Sequence, residues 1–410
     1  MSAHASIADA LHIPSHVPPE LVRDVDIFAI EPVDGDIHLG WHRLHDGPDI
    51  FWTPRNAGHW VFTRADDIQE AYRTPDRFSS KIVAVPYIDT GFRFAPAEID
   101  PPEVNEYRSA LAPAFTPKAL RSYEKIVRDL TIELIEGFIA EGRCEFQAAV
   151  AQHLPIGVFL GMMDFPAEDA SHLLPFVEDQ TRSPDPARVQ ASMDGMIAYL
   201  RSKIAERRKR PGEDLTSKVL SSMIAGRPAS EQEVFSMLIN LMFAGLDTVV
   251  AELGFSMRYL ATHPEHQQQL IERPELISEA VEELLRYHGI TNLARMVRSD
   301  MDYHGIAMKA GDPVVLSTTL FGLDERRFHD PLTIDFERDG KAHMIFGSGP
   351  HRCLGSHLAR LELRTFLEEW FSRIGAFSLD PAQPVECSSG KNNAMIRLPL
   401  RWTPPLARAA

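Results

Sequence analysis

Between Phe235 and Leu253 apolar residues fall on nearly every face of a helical repeat. An amphipathic surface helix keeps one polar face, so this pattern predicts a helix buried all round. Ser230 is a favoured N-cap type, and Glu231 and Glu233 place acidic groups in the first turn, where they complement the helix dipole. One helix is therefore predicted over Glu231–Thr262. Helical periodicity also predicts Pro117–Ala140, Ala187–Arg208, Pro274–Tyr287 and Ser356–Ile374. Asp66 is a candidate N-cap for a short helix closing before Pro75. Strand patterns are confined to His59–Phe62, Met301–Ile306, Pro313–Ser317 and Met395–Trp402. The fold class is mainly α, with small β-sheets at one side. No linker, repeat or low-complexity segment interrupts the chain, so a single domain over 1–410 is predicted, with roughly the first 25 residues irregular.

Composition narrows the setting. The chain of 410 residues is 44% hydrophobic and 24% charged, ordinary for a globular protein. Met1 to Asp26 lacks the basic and apolar regions of a signal peptide, and no run of about twenty apolar residues predicts a membrane span. Three widely spaced cysteines, Cys144, Cys353 and Cys387, suggest neither a disulfide framework nor a zinc site, which fits a reducing cytoplasm. The formal net charge of −16 disfavours nonspecific nucleic-acid binding. Lys118, Arg121, Lys125 and Arg128 nonetheless lie along one predicted helix, and Arg338, Lys341 and Arg352 lie near Cys353. A basic patch and a scatter of solvated charges both fit this spacing. His4, His12 and His16 show no metal-ligand spacing and are expected in a mobile segment.

The densest chemical signal is Phe346-Gly347-Ser348-Gly349-Pro350-His351-Arg352-Cys353-Leu354-Gly355, a glycine-rich loop opening into the helix predicted from Ser356. Unpaired N–H groups and the positive end of the dipole lower the pKa of a thiol at a helix N-terminus. A lone thiolate held this way suits haem iron, because it pushes electron density toward O–O cleavage. A buried structural cysteine is the alternative. Within the long helix, Ala244-Gly245-Leu246-Asp247-Thr248 combines two small residues with an acid and an alcohol. Gly245 costs about 1 kcal/mol in a helix interior, which suggests close approach of a flat group. Thr248 can bond a neighbouring carbonyl and loosen the helix locally; a packing notch with a satisfied threonine is the alternative. Glu283 and Arg286 sit three apart on one helical face, a spacing that also decorates many solvent faces.

Phe-Gly-x-Gly-x-His-x-Cys-Leu-Gly resembles the haem-binding loop of the cytochrome P450 monooxygenases, and the resemblance covers nearly the whole chain. It implies the cytochrome P450 fold, with haem b buried between the central long helix and the cysteine-bearing helix. It implies Cys353 as axial thiolate, with Ala244, Gly245, Phe346, Gly347 and Gly355 against the haem. Arg108, Arg295 and His351 would hold its propionates. Asp247 and Thr248 would deliver protons to bound O₂. Glu283, Arg286 and Arg338 would form a buried structural trio. Gly245 to Val250, Ser256-Met257, Pro264-Glu265-His266, Leu270 to Glu275, Gly322 to Arg326 and Leu398 to Trp402 are similar to the bacterial camphor 5-monooxygenase family. That resemblance implies a soluble class I enzyme, fed by a [2Fe–2S] ferredoxin and an NADH-dependent reductase. The basic patch becomes a ferredoxin-docking candidate.

The departures concern substrate. Phe92 stands where that family carries the tyrosine that hydrogen-bonds a ketone. Phe243 narrows the pocket, Val83 replaces an aromatic, and Asn240, Lys391, Asn392 and Asn393 put polar groups at aliphatic positions. Thr291 and Met395 complete the expected wall. A compact terpenoid or norisoprenoid other than camphor is expected, with Asn240 either bonding its oxygen or bonding its own helix. A haem-thiolate sensor and a peroxide-driven hydroxylase are rival readings. An intact acid–alcohol pair is needed by neither.

Overall fold

The computed structural model describes residues 13–182 and 185–404. The long buried helix is present but interrupted. Glu231–Leu246 and Thr248–Thr262 are two helices that meet at Asp247, whose φ of −106° leaves the helical range. The cause is the next residue: Thr248 Oγ1 donates to the Ala244 carbonyl at 3.0 Å, a back-bond that bends helices. At the start, Ser230 and Glu233 satisfy each other's backbone N–H in a capping box.

Glu231–Thr262 is interrupted by Asn240, Asp247 and Glu252 and so is no unbroken apolar run, yet an 18-residue window of it reaches a mean hydropathy of 1.8, long and apolar enough to cross a membrane. Here 61% of its apolar window is buried inside the protein. Helices His153–Met163 and Pro186–Lys209 cover the first half; strands Phe377–Leu379 and Ala394–Arg397 cover the second.

The other helices whose bounds were predicted fall within a few residues of expectation, whereas His153–Met163 and Ala170–Arg182 were not delimited from the sequence. Pro117–Glu136 is capped by Thr116, and Ile277–Tyr287 follows a short turn at Pro274–Leu276. The Ser356–Arg373 helix packs against both. Together these elements set the cysteine loop against the rest of the helical core.

The largest sheet has five strands in the order Ile50–Thr53, His59–Phe62, Pro313–Ser317, Asn292–Val297 and Phe78–Ser79. Val315 is its register centre, beside Val61 in parallel and Ala294 in antiparallel. Two predicted strands are corrected. Met301–Ile306 is a hairpin, Met301–Tyr303 with Ile306–Met308, because His304 and Gly305 both take positive φ. Met395–Trp402 is two strands in two sheets: Ala394–Arg397 pairs with Glu386–Ser388, and Pro399–Trp402 with Phe377–Leu379 and Arg143–Glu145. His4 and His12 lie outside the described residues. His16 is tied to Asp312 at 2.8 Å rather than free.

Asp66 does not cap the early helix. Ala65–Arg73 begins one residue before it, and the Ala65 N–H donates to Asp324 Oδ2 at 2.8 Å. Burial raises the Asp324 pKa, but the Arg326 guanidinium and the Ala65 and Arg326 N–H groups outweigh it and hold the carboxyl below its ordinary value. That contribution to stability is present above the unfolded-state pKa and is lost as pH falls through the lower folded-state value. Asp324→Ala should therefore cost about 1–3 kcal/mol at neutral pH. In urea unfolding, the gap to the parent protein should narrow below about pH 4.

Candidate functional site

The cysteine loop closes on itself. Gly347 N–H donates to Met344 O and Cys353 N–H to Phe346 O, each at 2.8 Å. Gly347 and Gly349 both have φ of +66°. At Gly349 no side chain fits, since a Cβ would stand 2.6 Å from the Tyr72 carbonyl. Gly355 caps the Ser356–Arg373 helix, and its N–H donates to the Cys353 sulfur. Cys353 is exposed at the residue level although much protein lies around it. The expected lowering of the thiol pKa is overturned. Burial raises it, against the Gly355 N–H and the charges of Arg108, Arg360 and Arg352. A metal cation on sulfur removes this penalty by stabilising the thiolate directly.

Asn240, Leu241, Phe243, Ala244, Gly245, Asp247 and Thr248 are accessible between the buried runs 234–239 and 249–257, with Ala244 exposed. A Cβ at Gly245 would meet no protein atom within 4 Å, so this stretch of helix can take a flat group against its backbone. Burial raises the Asp247 pKa, opposed by an Asn392 Nδ2 hydrogen bond of 2.6 Å to Oδ2 and by the charge of Lys391. Asn240 is half-buried and makes no hydrogen bond to another side chain among the described residues.

Arg108, Arg295 and His351 come together beside the loop. His351 Nε2 is buried without a partner. Burial, then the charges of Arg295 and Arg108, push its pKa down to about 3. Arg295 is 3% exposed and donates to the carbonyl of Ala294 at 2.8 Å. Its guanidinium lies over the Tyr72 ring at 5.1 Å. The Tyr72 hydroxyl is also unpartnered, and nothing in the sequence distinguished it from a core aromatic. Arg108 donates to the Arg352 carbonyl at 2.8 Å. Two guanidiniums and two orphaned buried polar atoms fit a group that carries carboxylates, as haem does.

Glu283 is fully buried and holds two arginines. Arg286 Nε and Nη2 donate to its two oxygens at 2.9 and 2.8 Å, and Arg338 Nε donates to Oε1 at 2.8 Å. The remaining guanidinium donors reach the carbonyls of Gly322, His329, Asp330, Pro331 and Thr333. Glu282, which the sequence did not single out, binds His343 at 3.1 Å and Arg360 at 2.9 Å. Arg360 in turn lies 4.5 Å over the Phe346 ring.

Among expected wall residues, Phe92 packs edge-on against Phe94 at 5.1 Å and Phe235 at 5.2 Å. Phe94, not foreseen, meets Phe243 at 5.8 Å. Val83 is partly exposed, with its carbonyl taken by the Ala294 N–H at 3.1 Å. The Thr291 hydroxyl is bonded to that of Thr318 at 3.2 Å. Met395 is corrected: it is 2% exposed and packs on Gly254, behind the wall rather than in it.

The basic patch is smaller than expected. Arg128 is paired with Glu368 and Glu369, Lys125 with Asp129, Arg338 with Glu283, and Lys341 with the Phe336 carbonyl. Lys118, Arg121 and Arg352 remain as exposed cations. A surface cleft of about 610 Å³ borders Lys118 and Lys218, and Cys353 is not among the residues that line it.

The family model described as Cytochrome P450 matches residues 162–399. A protein of Sinorhizobium fredii named Probable cytochrome P450 127A1 is 33% identical over 95% of this chain and 97% of its own. The crystal structure of CYP101J2 is 35% identical with a TM-score of 0.88, covering 96% of this chain and 99% of that one. Cytochrome P450 CYP101C1 is 35% identical with a TM-score of 0.89, covering 96% and 100%.

Removing one partner from a buried ionic group strands the others. Glu283→Ala should cost about 3–5 kcal/mol and reduce the haem recovered per chain. Haem-to-protein ratio and urea midpoint measure both effects, and a stably folded variant with full haem content would refute this role.

Proposed function

Since the chain belongs to the cytochrome P450 family, and is thus a haem-thiolate monooxygenase, we propose that Cys353 is its iron ligand and that it hydroxylates a compact terpenoid or norisoprenoid. When bound, haem supplies the redox chemistry that activates O₂ and inserts one oxygen atom into a C–H bond.

The chain's own residues supply the rest. Arg108, Arg295, His351 and Tyr72 hold the propionates by charge and hydrogen bonding. Phe346, Gly347 and Gly355 enclose the thiolate, and Ala244 and Gly245 leave room for the flat ring. Thr248 Oγ1 and the Asp247 carboxyl deliver protons on the opposite face. The observation that carries this reading is the pairing of an accessible thiol at a helix N-terminus with an acid–alcohol break in the helices Glu231–Leu246 and Thr248–Thr262. The same pair favours turnover over mere ligand sensing.

Phe92, Phe94, Phe243, Asn240, Val83 and Thr291 wall the substrate site. Its aromatic rings favour a compact apolar skeleton. Electrons come from a [2Fe–2S] ferredoxin reduced by an NADH-dependent flavoprotein, in the cytoplasm, with Lys118, Arg121 and Arg352 as the docking cations. Similarity to CYP101J2 and CYP101C1 supports the class I assignment.

Titration of the ferric protein with camphor, cineole and ionone-type ketones tests the substrate class through the low-spin to high-spin shift of the haem spectrum. A response to an ionone-type ketone with little to camphor is expected; a strong response to camphor would refute the altered pocket. With an added ferredoxin system, NADH consumption should be matched by hydroxylated product. Thr248→Ala should keep NADH consumption while losing product about 10-fold or more, as expected for loss of a proton-delivering group.

A further inference from the structure

Lys391 lies at the tip of the hairpin formed by Glu386–Ser388 and Ala394–Arg397. The tip is fastened on three sides. The Lys391 carbonyl accepts from Asn292 N–H at 2.8 Å. Asn392 donates to Asp247 at 2.6 Å. Asn393 is buried, accepting from Trp41 at 3.0 Å and donating to Thr319 at 3.0 Å.

The Lys391 side chain is accessible, and its neighbour Asn392 both bonds Asp247 and bridges to Thr291, so the tip that carries Lys391 sits against the Asp247 break and the Thr291 wall. Asp247 and Glu98 lie near enough for their charges to act on it, but among the described residues it makes no ion pair or hydrogen bond. Glu98 is committed to the Phe94 N–H at 2.8 Å, so the charges that act on Lys391 come from both the Asp247 break and the Phe94–Glu98 segment.

Of the other polar groups there, Asn240 alone has no side-chain partner among the described residues, and the Asn240→Leu arm of the test separates it from Lys391. Asn392 holds Asp247, and Thr291 holds Thr318. A desolvated ammonium without a hydrogen-bond partner is unfavourable, and it favours a ligand that brings an acceptor. Asp247 and Glu98 already offset its charge, so a neutral oxygen suits it better than a third carboxylate.

We propose that Lys391 is the polar anchor for substrate, donating from Nζ to the carbonyl oxygen of a compact apolar ketone. This rests on the monooxygenase reading only in taking the space beside Asp247 and Thr248 as the substrate site.

The test is a spin-state titration of the ferric holoprotein with three probes. They are β-ionone, the hydrocarbon with CH₂ in place of its carbonyl, and the acid with a carboxylate at that carbon. The parent protein should bind β-ionone about 10–100-fold more tightly than the hydrocarbon. Lys391→Met should abolish that preference by weakening β-ionone alone, and Lys391→Arg, which keeps a donor, should retain it. Asn240→Leu should leave it in place. An unchanged preference in Lys391→Met, its loss in Asn240→Leu instead, no preference in the parent, or tighter binding of the acid would each overturn the proposal. The ferrous carbonyl spectrum of each protein separates the two readings. A parent protein without a thiolate signature refutes the role of Cys353, whereas an intact signature with an unchanged preference refutes the role of Lys391.

Discussion

A carboxylate with no access to water, Glu283, is the constraint on which the cysteine side of the molecule depends. An ion buried this deeply is tolerable only when its attraction to opposite charges and its hydrogen bonds offset the loss of hydration. Here two guanidiniums do so, and their spare donors then reach five carbonyls between Gly322 and Thr333. That stretch has almost no regular structure of its own to satisfy its backbone. Side chains take the place of a ladder. The neighbouring Glu282 does the same for the next segment, through His343 and Arg360, and so carries order up to Phe346.

From that base the loop can present a sulfur without burying it in side chains. The backbone supplies the enclosure: Gly355 N–H on the sulfur, Cys353 N–H on Phe346, and Gly349 against the backbone of Tyr72. The helix break that the proposal sets opposite the cysteine is equally spare. Ala244 and Gly245 keep side-chain bulk away, and Thr248 breaks the helix by bonding its own backbone. Polar groups that lack partners, His351 Nε2 and the Tyr72 hydroxyl, sit where carboxylates would be met by Arg295 and Arg108.

Much of this was legible in the sequence because the signals are local. A capping box, an i,i+3 ion pair and a ten-residue loop are each contained in a short window, and periodicity located the helices beginning at Pro117, Pro186, Glu231, Ile277 and Ser356 to within a few residues, while His153–Met163 and Ala170–Arg182 were not delimited. What was not legible depends on distant partners. Asp324 caps a helix 259 residues earlier, which no window around Asp66 could reveal. Asn392 holds Asp247 across 145 residues. Met395 was misplaced because strand parity decides which neighbour faces inward, and Gly254 opens just enough room for it. Phe94 lies in an irregular segment, where no period indicates a face.

The bond from Asn392 to Asp247 has a mechanical consequence. The hairpin tip carries part of the proposed pocket wall, and the acid beside Thr248 hangs from that same tip. A molecule that fits poorly and pushes the tip aside also drags the carboxyl out of line. Reducing equivalents would then be wasted in proportion to misfit, so the efficiency with which NADH is converted to product becomes a gauge of shape complementarity, independent of how tightly the molecule binds.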